Sequence, residues 1–343
     1  MPSVLESLNT ALHRAFTDNE QVYLLGEDVL DPYGGAFRVT KGLSSAFPER
    51  VLTTPISEAG FVGVAAGMAL RGLRPVVEIM FGDFVTLIAD QLVNHISKFR
   101  WMYNEQVTVP LVIRTPMGGR RGYGPTHSQT LEKLYLGIPG LRVIAPAAFC
   151  QANGVSGPGD LLYRCVLEGD DPTLFLENKL GYLLPVQDQG DLAEFNLTTQ
   201  IDGNGSIFPC FILSMRAAPP ASLTIAAYGY MAELARQAVE RLAYEHELFA
   251  ELVVSTQLAP FDIEPIAQSA NRTGALLVIE EGTFSLGWGA EVVARVAETQ
   301  AGRSLILRRI AAQEFPIPVS PTLEQAVLPG VDQIMQSAVA IRS

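Results

Sequence analysis

Along the first half of the chain, short apolar runs alternate with longer stretches whose apolar positions recur every three or four residues. VYLLGED (22–28), RPVVEIMF (74–81), VPLVIR (109–114), LRVIAP (141–146) and TLFLEN (173–178) are of the first kind. Continuous apolar runs of this length mark strands buried on both faces of a parallel sheet. Thr53 to Leu70 reads as a short strand that passes through Pro55 into a helix. Phe84, Ile88, Leu92, Ile96 and Phe99 share one helical face and predict a long amphipathic helix over 83–102. From 181 to 222 the rhythm stops, and DQGD, DGNG and AAPPAS are turn compositions. It resumes with LTIAAYGY (223–230), a helix over 231–246, LFAELVVS (248–255), a helix from about Asp262, ALLVIEE (275–281), a helix over 288–299 and SLILRRI (304–310). Strands separated by helices specify parallel sheets covered on both faces. The pattern predicts an α/β protein of two doubly wound domains, 1–185 and 223–343, with 186–222 as a linker.

Composition narrows the classes. With 48% hydrophobic and 17% charged residues, the 343-residue chain is too apolar to be disordered and long enough for two cores. The low charged fraction points to apolar surface covered by other chains. A net charge of −12, spread along the chain, argues against nucleic acid as a partner. Cys150, Cys165 and Cys210 are odd in number and lack metal-ligand spacing, which fits a reducing, cytoplasmic setting without a disulfide framework. No apolar run approaches the ~20 residues that cross a bilayer, so no membrane association is expected. The opening MPSVLESLNTALHRAF does not read as a signal peptide.

Three segments carry candidate chemistry. In TPISEAGFVGVAAGMAL (54–70), Glu58 follows Ser57, a plausible N-cap, and opens a stretch with no other ionisable group. Such a carboxyl is either an ordinary first-turn Glu or a buried acid with a task. Gly60, Gly63 and Gly67 follow at helical spacing, as close packing on a neighbour requires. In MGGRRGYGPTHSQT (117–130), past a strand end where open α/β sheets place ligands, His127 is either surface decoration or a functional side chain. In FGDFVTLIADQ (81–91), Phe81 and Phe84 can stack on a flat ring or belong to the core. Neither G-x-G-x-x-G after a strand nor G-x-x-x-x-G-K-[ST] occurs, and no Gly-Asp pair is followed by glycine.

Together these segments resemble the β subunit of the decarboxylating component of 2-oxo acid dehydrogenase complexes, of pyruvate or branched-chain type. LLGEDVLDPYGGAFRVTKGL (24–43), TPISEAGFVGVAAGMALRGLRPVVEIMFGDF (54–84), DQLVNHISKFR (90–100), VPLVIRTPMGG (109–119), HSQTLE (127–132) and PGLRVIAP (139–146) match family motifs in order. TIAAYG (224–229), LAPFDIEPI (258–266), EEGTFSLGWGAEV (280–292) and FPIP (315–318) continue the match. The resemblance implies a transketolase-like pyrimidine-binding domain and a transketolase C-terminal-type domain. It implies thiamine diphosphate shared with an α subunit in an α₂β₂ heterotetramer, and a lipoyl acyltransferase as acceptor. The family's cofactor-activating glutamate falls on Glu58, its pyrimidine-stacking aromatic on Phe84 and its active-site histidine on His127. The chemistry fits these types: thiamine becomes reactive when a carboxyl exchanges a proton with the far nitrogen of its aminopyrimidine, and apolar surroundings favour a carboxyl's protonated form. The family's Mg²⁺ site, a G-D-G with a later Asn, lies on the α subunit, so this chain alone would grip the pyrimidine but not the diphosphate. A structural K⁺ on main-chain carbonyls would fall near Leu111, Val166, Gly169 and Asp171, with Gly169 standing where many members have Asp.

QANGVSGPGDLLYRC (151–165), IDGNGSIFPCFILSMRAAPP (201–220) and NEQ (104–106) depart from the family pattern. An acetoin-type dehydrogenase, a split transketolase-like transferase subunit and a non-catalytic assembly subunit therefore stay open beside the leading reading.

Overall fold

The apolar runs of the first half form one sheet. Its parallel strands are β1 (Val22–Gly26), β2 (Val51–Thr53), β3 (Arg74–Glu78), β4 (Val112–Met117), β5 (Arg142–Ile144) and β6 (Thr173–Asn178), in the order β5-β6-β4-β3-β1-β2. The computed structural model describes residues 1–201, 208–299 and 304–342. Central residues such as Val77, Ile113 and Leu174 are fully buried, because helices cover both faces. The first helix, Val4–Asp18, starts on a capping box in which Ser3 Oγ accepts from Glu6 N and Glu6 accepts from Ser3 N.

The second sheet contains β7 (Phe195–Ile201), β8 (Pro209–Met215), β9 (Leu223–Ala227), β10 (Ala250–Ser255), β12 (Ala275–Thr283) and β13 (Ile306–Ala312), in the order β13-β12-β9-β10-β8-β7. β9, β10, β12 and β13 run parallel, while β8 and β7 continue the sheet antiparallel. The helices Met231–His246 and Val331–Arg342 close one core against Ile225, Leu252 and Leu277. β11 (Gln257–Ala259) follows β10 directly but pairs antiparallel with β5 of the first sheet, so backbone hydrogen bonds tie the halves together.

Two elements differ from the sequence pattern. The segment 186–222, read as a linker, contains β7 and β8. FNLTTQI has the period-two alternation of an edge strand, with Phe195 buried and Asn196 exposed, but its polar outer face reads as loop. The DGNG turn signal (202–205) lies outside the described residues. The stretch 83–102 is helical without being one α-helix. It runs as a 3₁₀ segment (Gly82–Ile88), a π turn (Gln91–His95), a second 3₁₀ turn (Ile96–Lys98) and an α turn (Phe99–Met102). Thr86 Oγ1 bonds back to Asp83 O at 2.9 Å, and Asp83 is drawn into the protein by Gln129, so the first turn tightens. Apolar spacing does not distinguish these windings.

Candidate active site

The carboxyl ends of β1, β2, β3, β4 and β6 lie along one edge of the first sheet, and the segments leaving them bring the candidate side chains together. β1 runs into Glu27, β2 into the helix Glu58–Leu70, β3 into the Phe81–Phe84 turn, β4 into the loop bearing His127, and β6 into Lys179.

Glu58 is the first residue of its helix and only 7% exposed, although Ile56 two residues earlier is 87% exposed. Ser57 occupies the N-cap position, but its side chain makes no capping bond. Glu27 is also buried, with Oε1 unpartnered, and its carboxyl is pushed up by burial, then by the charges of Glu58 and Asp28. Two buried carboxyls thus lie at neighbouring strand ends. Composition around Glu58 flagged one of them. Glu27 was missed, and its sequence signal was an acid closing an apolar strand run.

Phe84 lies in the 3₁₀ segment packed against the Glu58 helix. The His127 ring stands edge-on to Phe81 at 4.7 Å and to Phe84 at 5.3 Å between centroids. Thr126 Oγ1 sits 3.0 Å from His127 Nδ1. Buried Asp83 accepts from Gln129 Nε2 at 2.8 Å, which ties the Phe84 segment to the His127 loop, and its Oδ2 is left without a partner. Beneath them, fully buried Lys179 donates to the main-chain oxygen of His127. Its ammonium lies 5.3 Å from the Phe81 ring centroid and 5.4 Å from that of Tyr123. Burial lowers the Lys179 pKa to about 8, against the raising charges of Asp83 and Glu281.

A buried charged ladder supports this edge from below. Arg114 on β4 donates to Glu78 on β3 and to Glu177 on β6, with Nε to Glu177 Oε1 at 2.8 Å, and Tyr182 OH also donates to Glu177. Burial opposes the Arg114 charge, and Glu177 and Glu78 outweigh it. From the second domain, Glu281 accepts from Gly119 N at 2.6 Å and Asn178 Nδ2 at 3.2 Å. Glu324 accepts from Arg120 N at 2.6 Å and Gly122 N at 3.3 Å. The second domain therefore clamps the start of the His127 loop.

The glycine face of the Glu58 helix is largely without neighbours among the described residues. Gly60, Gly63, Val64 and Gly67 are exposed, and a Cβ at Gly63 or Gly67 would meet nothing within 4 Å. The close-packed neighbour expected from the glycines is therefore not found among the described residues.

Leu111, Val166, Gly169 and Asp171 lie at the opposite, amino edge of the sheet, where β4 and β6 begin. All four carbonyls already accept protein donors: Leu111 O from Thr173 N at 2.9 Å, Asp171 O from Thr173 Oγ1 at 3.3 Å, Val166 O and Gly169 O from Arg74 Nη1 at 2.8 and 2.9 Å. The Arg74 guanidinium thus already takes the seat between Val166 O and Gly169 O. Among the described residues, no group of three or more His, Cys, Asp or Glu is placed to hold a metal. No helix among them is long and apolar enough to cross a membrane.

Residues 1–183 match the family described as "Transketolase, pyrimidine binding domain", and residues 217–334 match "Transketolase, C-terminal domain". The chain is 35% identical to a pyruvate dehydrogenase E1 component subunit beta-2, mitochondrial, of Oryza sativa subsp. japonica, over 98% of this chain and 85% of the relative. It is 33% identical to an acetoin:2,6-dichlorophenolindophenol oxidoreductase subunit beta of Bacillus subtilis (strain 168), over 97% of this chain and 95% of the relative. Among solved structures, a split-gene transketolase described as an inactive beta4 tetramer superposes with a TM-score of 0.74 at 20% identity, covering 99% of this chain and 98% of that one. That likeness speaks to the fold alone.

Proposed function

The chain belongs to the transketolase-like family that includes the β subunits of pyruvate dehydrogenase, and from that premise we propose that it is the β subunit of a thiamine-diphosphate-dependent 2-oxo acid dehydrogenase. The observation that carries this reading is the buried Glu58 carboxyl, beside the equally buried Glu27, at the strand edge that also bears Phe84 and His127. These residues fit an aminopyrimidine: a buried acid for its ring nitrogen, aromatic surface for its face, and space at the open glycine stripe.

When bound, thiamine diphosphate supplies an electron sink for the bond that releases carbon dioxide. Glu58 would exchange a proton with the far pyrimidine nitrogen. Glu27, whose carboxyl burial and the Glu58 charge push up, keeps its own proton more readily and so limits negative charge beside Glu58. Phe84 offers ring surface that orients the pyrimidine. His127, braced by Phe81 and anchored through Lys179, would hydrogen-bond or transfer a proton during acyl transfer to a lipoyl acyltransferase.

Diphosphate and Mg²⁺ belong, in this reading, to an α subunit, in an α₂β₂ heterotetramer. The exposed stripe of Ile56, Gly60, Gly63, Val64 and Gly67 supports that surface, because small residues let a partner backbone approach while sealing Glu58 from water. The relative spanned over 95% of its length supports acetoin as a second substrate class. The test is co-expression with an α-like chain carrying G-D-G, followed by assays on pyruvate, branched-chain 2-oxo acids and acetoin with thiamine diphosphate and Mg²⁺. Turnover of a 2-oxo acid is expected. A stable complex inert on all three overturns the reading.

A further inference from the structure

We propose that the guanidinium of Arg74 stands in for a structural monovalent cation at the amino edge of the first sheet, and makes the stability of this chain independent of potassium. The helix Pro158–Leu167 ends there, and the last carbonyls of a helix lack intrahelical donors and carry partial negative charge. Such an end can be satisfied by a metal ion on converging carbonyls or by a cationic side chain. Here Arg74, the first residue of β3, inserts Nη1 between Val166 O and Gly169 O, at 2.8 and 2.9 Å. Its Nη2 reaches Asp170 Oδ1 at 3.3 Å.

The turn is shaped to this donor. A Cβ at Gly169 would meet Cys165 O at 2.9 Å, so the backbone folds tightly and turns its own carbonyl toward the arginine. The remaining charges are balanced without an ion. Asp171 is paired with Arg100 at 2.9 Å and Arg142 at 3.3 Å, and Asp170 O accepts from Val109 N at 3.0 Å. A guanidinium does not lose its proton in a protein, and here one nitrogen donates to two carbonyls while the other reaches a carboxylate. A potassium ion entering this seat would have to expel that fixed charge and both of its hydrogen bonds.

The experiment is thermal unfolding of the full chain in potassium chloride and in choline chloride at equal ionic strength, for wild type, R74M and R74Q. Wild type is expected to unfold at the same temperature in both salts. R74M and R74Q are expected to unfold several degrees lower in choline, about the shift that loss of one or two hydrogen bonds gives, and to recover part of that loss in potassium. A saturable rise of the wild-type midpoint with potassium overturns the proposal. So do variants indifferent to potassium, or variants that fail to fold in either salt. Crystals of wild type soaked in thallium(I) give an independent readout: no thallium between Val166 O and Gly169 O is expected, and an ion bound there contradicts the substitution.

Discussion

At the scale of single residues, the site is unusual for how much charge it buries on purpose. Lys179 has no exposed surface, and its ammonium is met by a carbonyl and two ring faces. Removing one partner of a buried polar pair leaves the other unsatisfied: Lys179→Met takes the donor from His127 O and the positive charge that faces Asp83 and Glu281. Lys179→Met should therefore fold with an unfolding midpoint below wild type. It should lose on the order of 10-fold in acyl transfer, because the main chain of His127 is no longer held. Parallel measurements of thermal unfolding and turnover in the complex check this. A lower midpoint with unchanged turnover would make Lys179 a packing residue only.

At the scale of elements, the His127 loop takes its shape from the second domain. Gly119 passes so close to the helix Pro321–Val327 and the residue after it that a Cβ would lie 2.6 Å from Leu328 Cδ1 and 3.1 Å from Glu324 Oε1. Gly119→Val should push the loop off Glu281 and Glu324, costing about 1–3 kcal/mol of stability, and should lower turnover more than pyrimidine binding. Urea unfolding and steady-state kinetics measure the two effects. The same clamp explains what the sequence made legible and what it hid. Strands such as Thr173–Asn178 and the helix Met231–His246 follow directly from apolar periodicity, because each buries its own pattern. Glu58, Phe84 and His127 were visible as unusual residues at strand ends. Glu281, Glu324, Lys179 and Arg74 were not, because their roles arise from partners 52 to 204 positions away for Lys179, Arg74 and Glu324, and from across the domain boundary for Glu281. The β7–β8 hairpin was hidden for a related reason, since an edge strand with a polar face carries the composition of a loop.

At the scale of the whole molecule, the seam between the domains stores a pH-dependent term. Glu280 is fully buried, and burial, then the charge of Glu132, pushes its pKa from 4.5 up to about 8 against the backbone N–H of Gly289 and Arg309, whose Nη1 lies 3.8 Å from Oε1. The folded state thus holds a proton that the unfolded chain releases. The linked stability is full below about pH 4.5 and is lost as pH rises toward 8. Glu280→Gln should flatten this slope and raise stability at pH 8 relative to wild type, which urea midpoints across that range would show. An unchanged slope would place the proton elsewhere in the seam. In the reading proposed above, the molecule is half of a site: Phe84 and His127 meet at the sheet edge where the buried Glu58 opens its helix, and Gly63 and Gly67 of that helix face nothing among the described residues. Decarboxylation by E58Q, assembled with the α-like partner and saturated with thiamine diphosphate and Mg²⁺, tests that account most directly. Turnover should fall at least about 100-fold, as loss of a general acid–base group does, with assembly and melting unchanged. Turnover near that of wild type would contradict it.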